Sequence, residues 1–175
     1  FSVPFAAGPQ ADASIVSVAS WRIYQHHLAK YQEYRGVKLL TLGAASPIQI
    51  FTTGKPIKSI NDLKGLKLMV GSKTAADLVE SVGALPVVKP ASQMYEMFSG
   101  GIVDGSFNPI ESVKSFKAAP FVKSVAYVPG GVNFGTIAVY MSQSRWDALN
   151  KEDQAVLEGA AGERLCADRD HRRLR

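Results

Sequence analysis

An α/β fold built on a parallel sheet is predicted by three features of the sequence. Short β-branched or leucine-rich runs alternate with segments of helical spacing, each run empties into a loop bearing Gly, Asn or Pro, and the strand–loop–helix unit recurs. The 175 residues suffice for one domain of ordinary size, or for most of a two-lobed protein with shared strands. Nearly half of them, 46%, are apolar and 20% are charged, the profile of a globular protein with a sizeable core.

The elements follow in order. After Pro9, Asp12 or Ser14 can cap a long amphipathic helix through Ile15, Val18, Trp21, Ile23, Leu28 and Tyr31, which Gly36 stops. Val37 to Leu42 and Ile48 to Thr53 read as two buried strands, bounded by Gly43, Pro47 and Gly54. Leu66 to Val70 is a strand emptying into Gly71-Ser72, with helical spacing from Thr74 to Val82. Pro86 to Val88, a short helix from Ser92 to Phe98, and Val103 to Phe107 leading through Asn108-Pro109 into another helix repeat the unit. Val122 to Val128 and Phe134 to Met141 are further strands around a Gly130-Gly131 turn. Ser144 can cap a helix holding Trp146 and Leu149, and Asn150 with Asp153 opens a last helix through Val156, Leu157 and Leu165. In open α/β sheets ligands lie beyond the carboxyl ends of strands, so the loops after Val70, Phe107 and Val128 are the places to look.

Several functions lose their usual signatures. No apolar run approaches the roughly 20 residues needed to cross a bilayer. The sequence opens at Phe1 without a charged-then-apolar leader, so a signal peptide is expected to be absent or already removed, and export is not read directly. A single Cys166 excludes an intramolecular disulfide framework and a multi-cysteine metal site. The net charge of +5 comes from dispersed lysines and a basic tail, Arg169 and His171 to Arg175, without the interleaved aromatics of a nucleic-acid surface; no nucleic-acid partner is expected. Five residues separate Gly65 from Gly71, and Ser72 precedes Lys73, so the phosphate-cradling loop of nucleotide-binding proteins is not formed. Gly130-Gly131 precedes a strand rather than a helix, and Ser99-Gly100-Gly101 departs from the nucleophile elbow. His26 and His27 are about 100° apart on a helix and do not converge on one metal. No catalytic residue, metal site or cofactor is expected.

From Lys55 onward the chain resembles the solute-binding proteins of tripartite ATP-independent periplasmic (TRAP) transporters, of the dicarboxylate-receptor type. The matching words are Lys55-Pro56-Ile57-Lys58, Asn61 to Lys67, Gly83 to Val88, Tyr95 to Phe98, Gly100 to Gly105 with Asn108-Pro109, and Trp146 to Gln154, in family order and spacing. The resemblance implies a type II periplasmic-binding-protein-like α/β fold, in which two lobes close on a ligand by a hinge. It implies one fairly complete lobe plus part of a second lobe and hinge strands. Family chains are longer, so the sequence is expected to be truncated at both ends. Residues 1–45 would form a partial first-lobe segment and hinge, 46–143 the ligand-binding α/β lobe, and 144–175 C-terminal helices and the basic tail.

The implied function is periplasmic capture of a small organic ligand for TRAP membrane subunits, without turnover, with self-association possible to complete the missing lobe. A non-binding remnant and a small α/β enzyme are the rival readings. Carboxylate-binding members carry Arg where Met69 stands here. Met69 is either core or the wall of a pocket remodelled for a less charged, more apolar ligand, and pocket chemistry favours the second. Asn108 is a ligand contact or the cap of the helix after Pro109. Asn133 and Phe134 match a pocket-lining segment, Gln93 and Tyr95 are outer candidates, and Lys67 or Lys73 could replace the missing Arg charge.

Overall fold

Asp12 opens the first helix, α1 (Ala13–Ile23), by accepting the Ile15 N–H at 2.8 Å on its Oδ1. The computed structural model describes Gly8 and residues 12–167; the basic tail singled out above lies outside them. The long helix expected through Tyr31 is not uniform. After Ile23 it widens into a π-helical turn over Tyr24–Leu28, tightens into a 3₁₀ turn over Ala29–Tyr31, and ends where Gln32 takes a left-handed φ of 53°.

The two strands expected at 37–42 and 48–53 are one 16-residue strand, β1 (Val37–Thr52). Pro47 does not break it for a geometric reason. Ile48 is the last β1 residue paired with the strand β4 (Gly105–Pro109), opposite Pro109, so the missing N–H of Pro47 falls beyond the end of that ladder. The remaining strands are β2 (Lys67–Val70), β3 (Leu85–Val88), β5 (Ser124–Ala126) and β6 (Phe134–Ser142). The helices are α2 (Lys73–Ser81), α3 (Met94–Ser99), α4 (Ile110–Ser115), α5 (Gln143–Asp147), α6 (Lys151–Ala160) and α7 (Glu163–Ala167).

The chain divides into two units, one comprising Ser46–Phe134 and the other, in its described part, residues 12–45 and 135–167. In the Ser46–Phe134 unit the strand order is β3-β2-β4-β1-β5. The expected parallel arrangement holds for β3, β2 and β4, whereas β1 runs antiparallel to both β4 and β5, making the sheet mixed. Successive side chains alternate between its faces. Leu68, Val70, Ile50 and Phe107 pack with Ala76 and Val79 of α2 on one side. Met69 and Phe51 pack with Met94 and Phe98 of α3, Val103, Val113 and Ala118 on the other. Each large side chain so buried contributes roughly 1.5–3 kcal/mol.

In the other unit β6 pairs with β1. Trp21, Leu42 and Cys166 form its core, supported by Val18, Tyr24, Leu39 and Ala138. Gly43 permits close approach of β1 to α1, since a Cβ there would lie 3.3 Å from Ser17 Oγ. The expected last helix is split: Gly162, at φ +65°, donates its N–H to Leu40 O at 2.8 Å and lies beneath the Trp21 indole, where a Cβ would come within 3.1 Å of Nε1. Ser144 lies inside α5, and Ser142 stands at its start. Asn150 caps α6 as expected, accepting the Asp153 N–H at 2.8 Å.

Candidate functional site

The carboxyl ends of β2 and β4 emerge on one edge of the Ser46–Phe134 unit, and β1 enters the sheet at the same edge. Gln49 of β1 stands opposite Asn108 of β4, and the Ile48 N–H donates to Asn133 O at 2.8 Å. Asn108 and Asn133 therefore flank β1 from opposite sides at adjacent residues.

Both are buried, at 6% and 8% exposure, and both carry an unsatisfied atom: Asn108 Nδ2 and Asn133 Oδ1 have no hydrogen-bond partner among the described residues. Ser106 Oγ, wholly buried one strand-pair inward between Met69 and Phe51, is unpartnered too. Buried polar groups of this kind are rare in folded proteins and demand an explanation. The cap reading of Asn108 does not supply one. Asn108 is a strand residue, and α4 begins after Pro109 without any side-chain cap.

Gln49 behaves differently. Its Oε1 accepts the Val128 N–H at 2.7 Å and its Nε2 donates to Val128 O at 3.2 Å, so the side chain stands in for a strand backbone. The strand expected to reach Val128 ends as β5 at Ala126, because the Ile48 backbone that would pair next bonds Asn133 O and the Val132 N–H instead. One amide at this edge is thus saturated internally, and two are not.

The remaining predicted residues are placed as follows. Phe134, 6% exposed, directly follows Asn133 and begins β6. Met69 reaches no solvent at all; it lies within the apolar layer of Met94, Phe98 and Phe51, so its position is core rather than pocket wall. Alternation along β2 dictates this, because Leu68 and Val70 occupy the opposite face. Gln93 is exposed in a 3₁₀ turn over Ala91–Gln93, and Tyr95, 46% exposed, sits edge-on to Phe121 at 5.5 Å. Met94 and Phe98 turn toward the sheet, which leaves Gln93 and Tyr95 on the outer side of that layer rather than at the strand edge. Lys67 begins β2, at the end away from Asn108, and Lys73 pairs with Asp77 at 2.9 Å, one helical turn along α2. That pairing raises the Lys73 pKa through its hydrogen bond and the nearby carboxylate charge.

The opposite edge of the sheet holds a recess of about 330 Å³ lined by residues including Thr52, Lys55, Asp62 and Asp104. Several of its polar atoms hold the neighbouring loops. Asp104 Oδ2 accepts the Lys67 N–H at 2.8 Å, Asp104 O accepts the Thr53 N–H at 2.9 Å, and Asp62 Oδ2 accepts the N–H groups of Lys58 and Ser59. Those bonds hold the Asp62 carboxyl below its ordinary pKa.

Sequence reasoning missed Gln49 and Ser106. Gln49 left one signal, a lone amide inside the apolar run Ile48 to Phe51, which reads as a buried polar group in need of partners. Ser106 left none, because a small residue in a strand is ordinary.

Comparison with known proteins adds to this geometry. A model of the bacterial extracellular solute-binding proteins, family 7, matches residues 1–171. The chain is 32% identical over 148 residues to a protein of Comamonas testosteroni named outer membrane transporter protein TsaT, covering 84% of this chain and 44% of that one. It superposes with a TM-score of 0.87, at 39% identity, on a TRAP periplasmic solute-binding protein of Bordetella bronchiseptica solved with bound (R)- and (S)-mandelate, covering 95% of this chain and 52% of that one. A TRAP solute-binding protein of Rhodoferax ferrireducens solved with copurified benzoate gives the same TM-score at 25% identity, over 95% and 51% of the two chains. The chain thus spans about half the length of the relatives it matches.

Proposed function

Since the chain belongs to family 7 of the bacterial extracellular solute-binding proteins, we propose that it serves as the ligand-holding portion of a TRAP-type periplasmic receptor, binding a small organic acid without transforming it. The observation that carries this reading is the pair of buried, unpartnered amides of Asn108 and Asn133 at the carboxyl edge of parallel strands. Such atoms cost free energy while buried without partners and regain it when a ligand supplies them. Phe134 beside them offers an apolar aromatic surface. Met69 stands behind the site as packing, so the acid is met by neutral amides rather than by a guanidinium.

This favours a compact monocarboxylate with an apolar body, and the two solved relatives, with mandelate and benzoate bound, point to the same class. No three His, Cys, Asp or Glu residues among those described gather as a metal site would require. No helix among them is long and apolar enough to cross a membrane. In this reading the membrane subunits of the transporter receive the ligand.

The test is a thermal-shift and calorimetric titration with benzoate, mandelate and aliphatic dicarboxylates. Saturable stabilisation by aromatic acids, with the ligand recovered unchanged by NMR, is the expected result. Conversion of the acid to a product would establish an enzyme instead.

A further inference from the structure

We propose that the edge where β2 and β4 begin is a docking face for an anionic lipid bilayer, on which lysines meet headgroup phosphates and two exposed isoleucines reach the boundary between headgroups and acyl chains. The inference goes beyond the receptor reading and concerns the end of the sheet away from Asn108 and Asn133.

The backbone brings five lysines to this edge. Lys67 begins β2, and its carbonyl accepts the Asp104 N–H at 2.8 Å just before β4. Lys123 leads into β5 and donates its N–H at 2.8 Å to the carbonyl of Thr52, the last residue of β1. Lys55 and Lys58 lie on the loop that leaves β1, where the Thr52 hydroxyl donates to Lys55 O at 3.1 Å and the Lys58 N–H to Asp62. Lys64 lies against the turn entering β3, since a Cβ on Gly83 would come within 3.3 Å of its Cγ. All five are exposed, and none forms an ion pair among the described residues. The loops that carry them hold two carboxylates, Asp62 and Asp104, and one oxygen of each already accepts backbone N–H groups. The edge is therefore positive.

Two large apolar side chains stand among these charges. Ile60 is 63% exposed at the start of the 3₁₀ turn Ile60–Leu63, whose Leu63 enters the core. Ile102 is 47% exposed, two residues before Asp104. Asp62 and Asp104 line the same recess, so the loops bearing the two isoleucines are neighbours. Exposed isoleucine beside lysine is the chemistry of an interfacial anchor: the apolar chain leaves water, and the long lysine stems keep their charges at headgroup level.

The identity of the cations favours lipid over an acidic protein. Protein interfaces are enriched in Arg, whose fork fixes geometry, and depleted in Lys. No Arg occurs from residue 46 to residue 134. Lysines demand no fixed partner geometry, which suits mobile headgroups. Because β4 spans Gly105–Pro109, this face lies roughly 13 Å from the amide edge and leaves that edge clear of the bilayer.

The test is cosedimentation of the full chain with phosphatidylcholine vesicles, with and without phosphatidylglycerol as about one lipid in three. Binding at least about tenfold tighter to the anionic vesicles, weakening as salt rises, is expected. Lys58→Glu combined with Lys64→Glu should lower that affinity at least about tenfold, and Ile60→Asp about fivefold. Melting temperatures should stay unchanged, since all three residues are exposed. The basic tail, Arg169 and His171 to Arg175, is the rival source of attraction, so Arg172→Ser with Arg173→Ser should leave most of the binding in place. Equal affinity for neutral and anionic vesicles would overturn the inference. So would binding that survives the lysine reversals and disappears with the tail substitutions. Capture of soluble polyglutamate through Lys58 and Lys64, with vesicles ignored, would assign the face to an acidic protein instead. Titration with aromatic acids reports on the other edge, so failure of either reading leaves the other standing.

Discussion

The two edges of the sheet in the Ser46–Phe134 unit are built from the same strands and treat their polar groups in opposite ways. At the edge where β2 and β4 begin, one oxygen each of Asp104 and Asp62 accepts backbone N–H groups, from Lys67 and from Lys58 and Ser59 respectively. At the edge where those strands end, Asn108 and Asn133 keep a buried donor and a buried acceptor unused. A recess exists at the first edge, where Asp62 Oδ2 and Asp104 Oδ2 hold the loops that line it. Concavity alone is therefore a poor guide to function here; unsatisfied hydrogen-bonding capacity is the better one.

Between the two edges lies the dry layer around Met69, and breaking it should give the largest effect. Met69→Arg places a guanidinium where nothing is exposed, in an apolar layer of Phe51, Met94, Phe98 and Val113. A loss of roughly 3–5 kcal/mol in urea unfolding is expected, as for an uncompensated buried charge. Retained stability together with tighter carboxylate binding would show instead that position 69 communicates with the amide edge.

Asp104→Ala tests the edge where the strands begin. Removing the acceptor of the Lys67 N–H should cost about 1.5 kcal/mol, and it should leave the affinity for an aromatic acid unchanged. A change in affinity would mean that the two edges are not independent. The converse holds for Asn108→Leu, which removes a buried unpartnered amide: stability should rise by about 1 kcal/mol while acid binding falls at least about tenfold. Ser106→Ala separates these effects, because its hydroxyl is equally unpartnered but wholly enclosed. A gain of about 0.5–1 kcal/mol with unaltered binding is expected, measured by thermal melts and calorimetry on the same sample.

Much of this was legible in the sequence, and the failures have specific causes. Period-two and helical spacing located β2, α2 and β4, whose Leu68, Val70, Ala76, Val79 and Phe107 meet in one core, and the Asn150–Asp153 pair marked the start of α6. Pro47 misled, since a proline ends a strand only where its N–H would have been used, and whether β4 reaches that far is a tertiary fact. The break at Gly162 depends on the Trp21 indole above it, about 140 residues earlier in the chain. Asn108 and Asn133 could be nominated from their places after strands, but not the state of their amides. Met69 was read as pocket because its family counterpart carries a charge; the register opposite Ser106 turns it into the layer with Met94 instead.

The smallest expected effect concerns pH at the edge where the strands begin. The Asp62 carboxylate is held below its ordinary pKa first by the N–H of Lys58, then by that of Ser59, with the Ser59 hydroxyl adding to them. A carboxyl whose folded pKa is depressed stabilises the fold above its unfolded value and ceases to do so as pH falls through the folded one. Melting temperatures of the protein and of Asp62→Asn should therefore differ by a constant amount near neutrality, begin to converge once pH drops below about 4, and coincide at still lower pH. A gap that persists unchanged into acid would show that geometry, not charge, anchors the turn over Ile60–Leu63. The amides of Asn108 and Asn133 do not titrate, so Asp62→Asn should leave the pH dependence of acid binding where it was. A parallel shift in binding would join two edges that the hydrogen bonds keep apart.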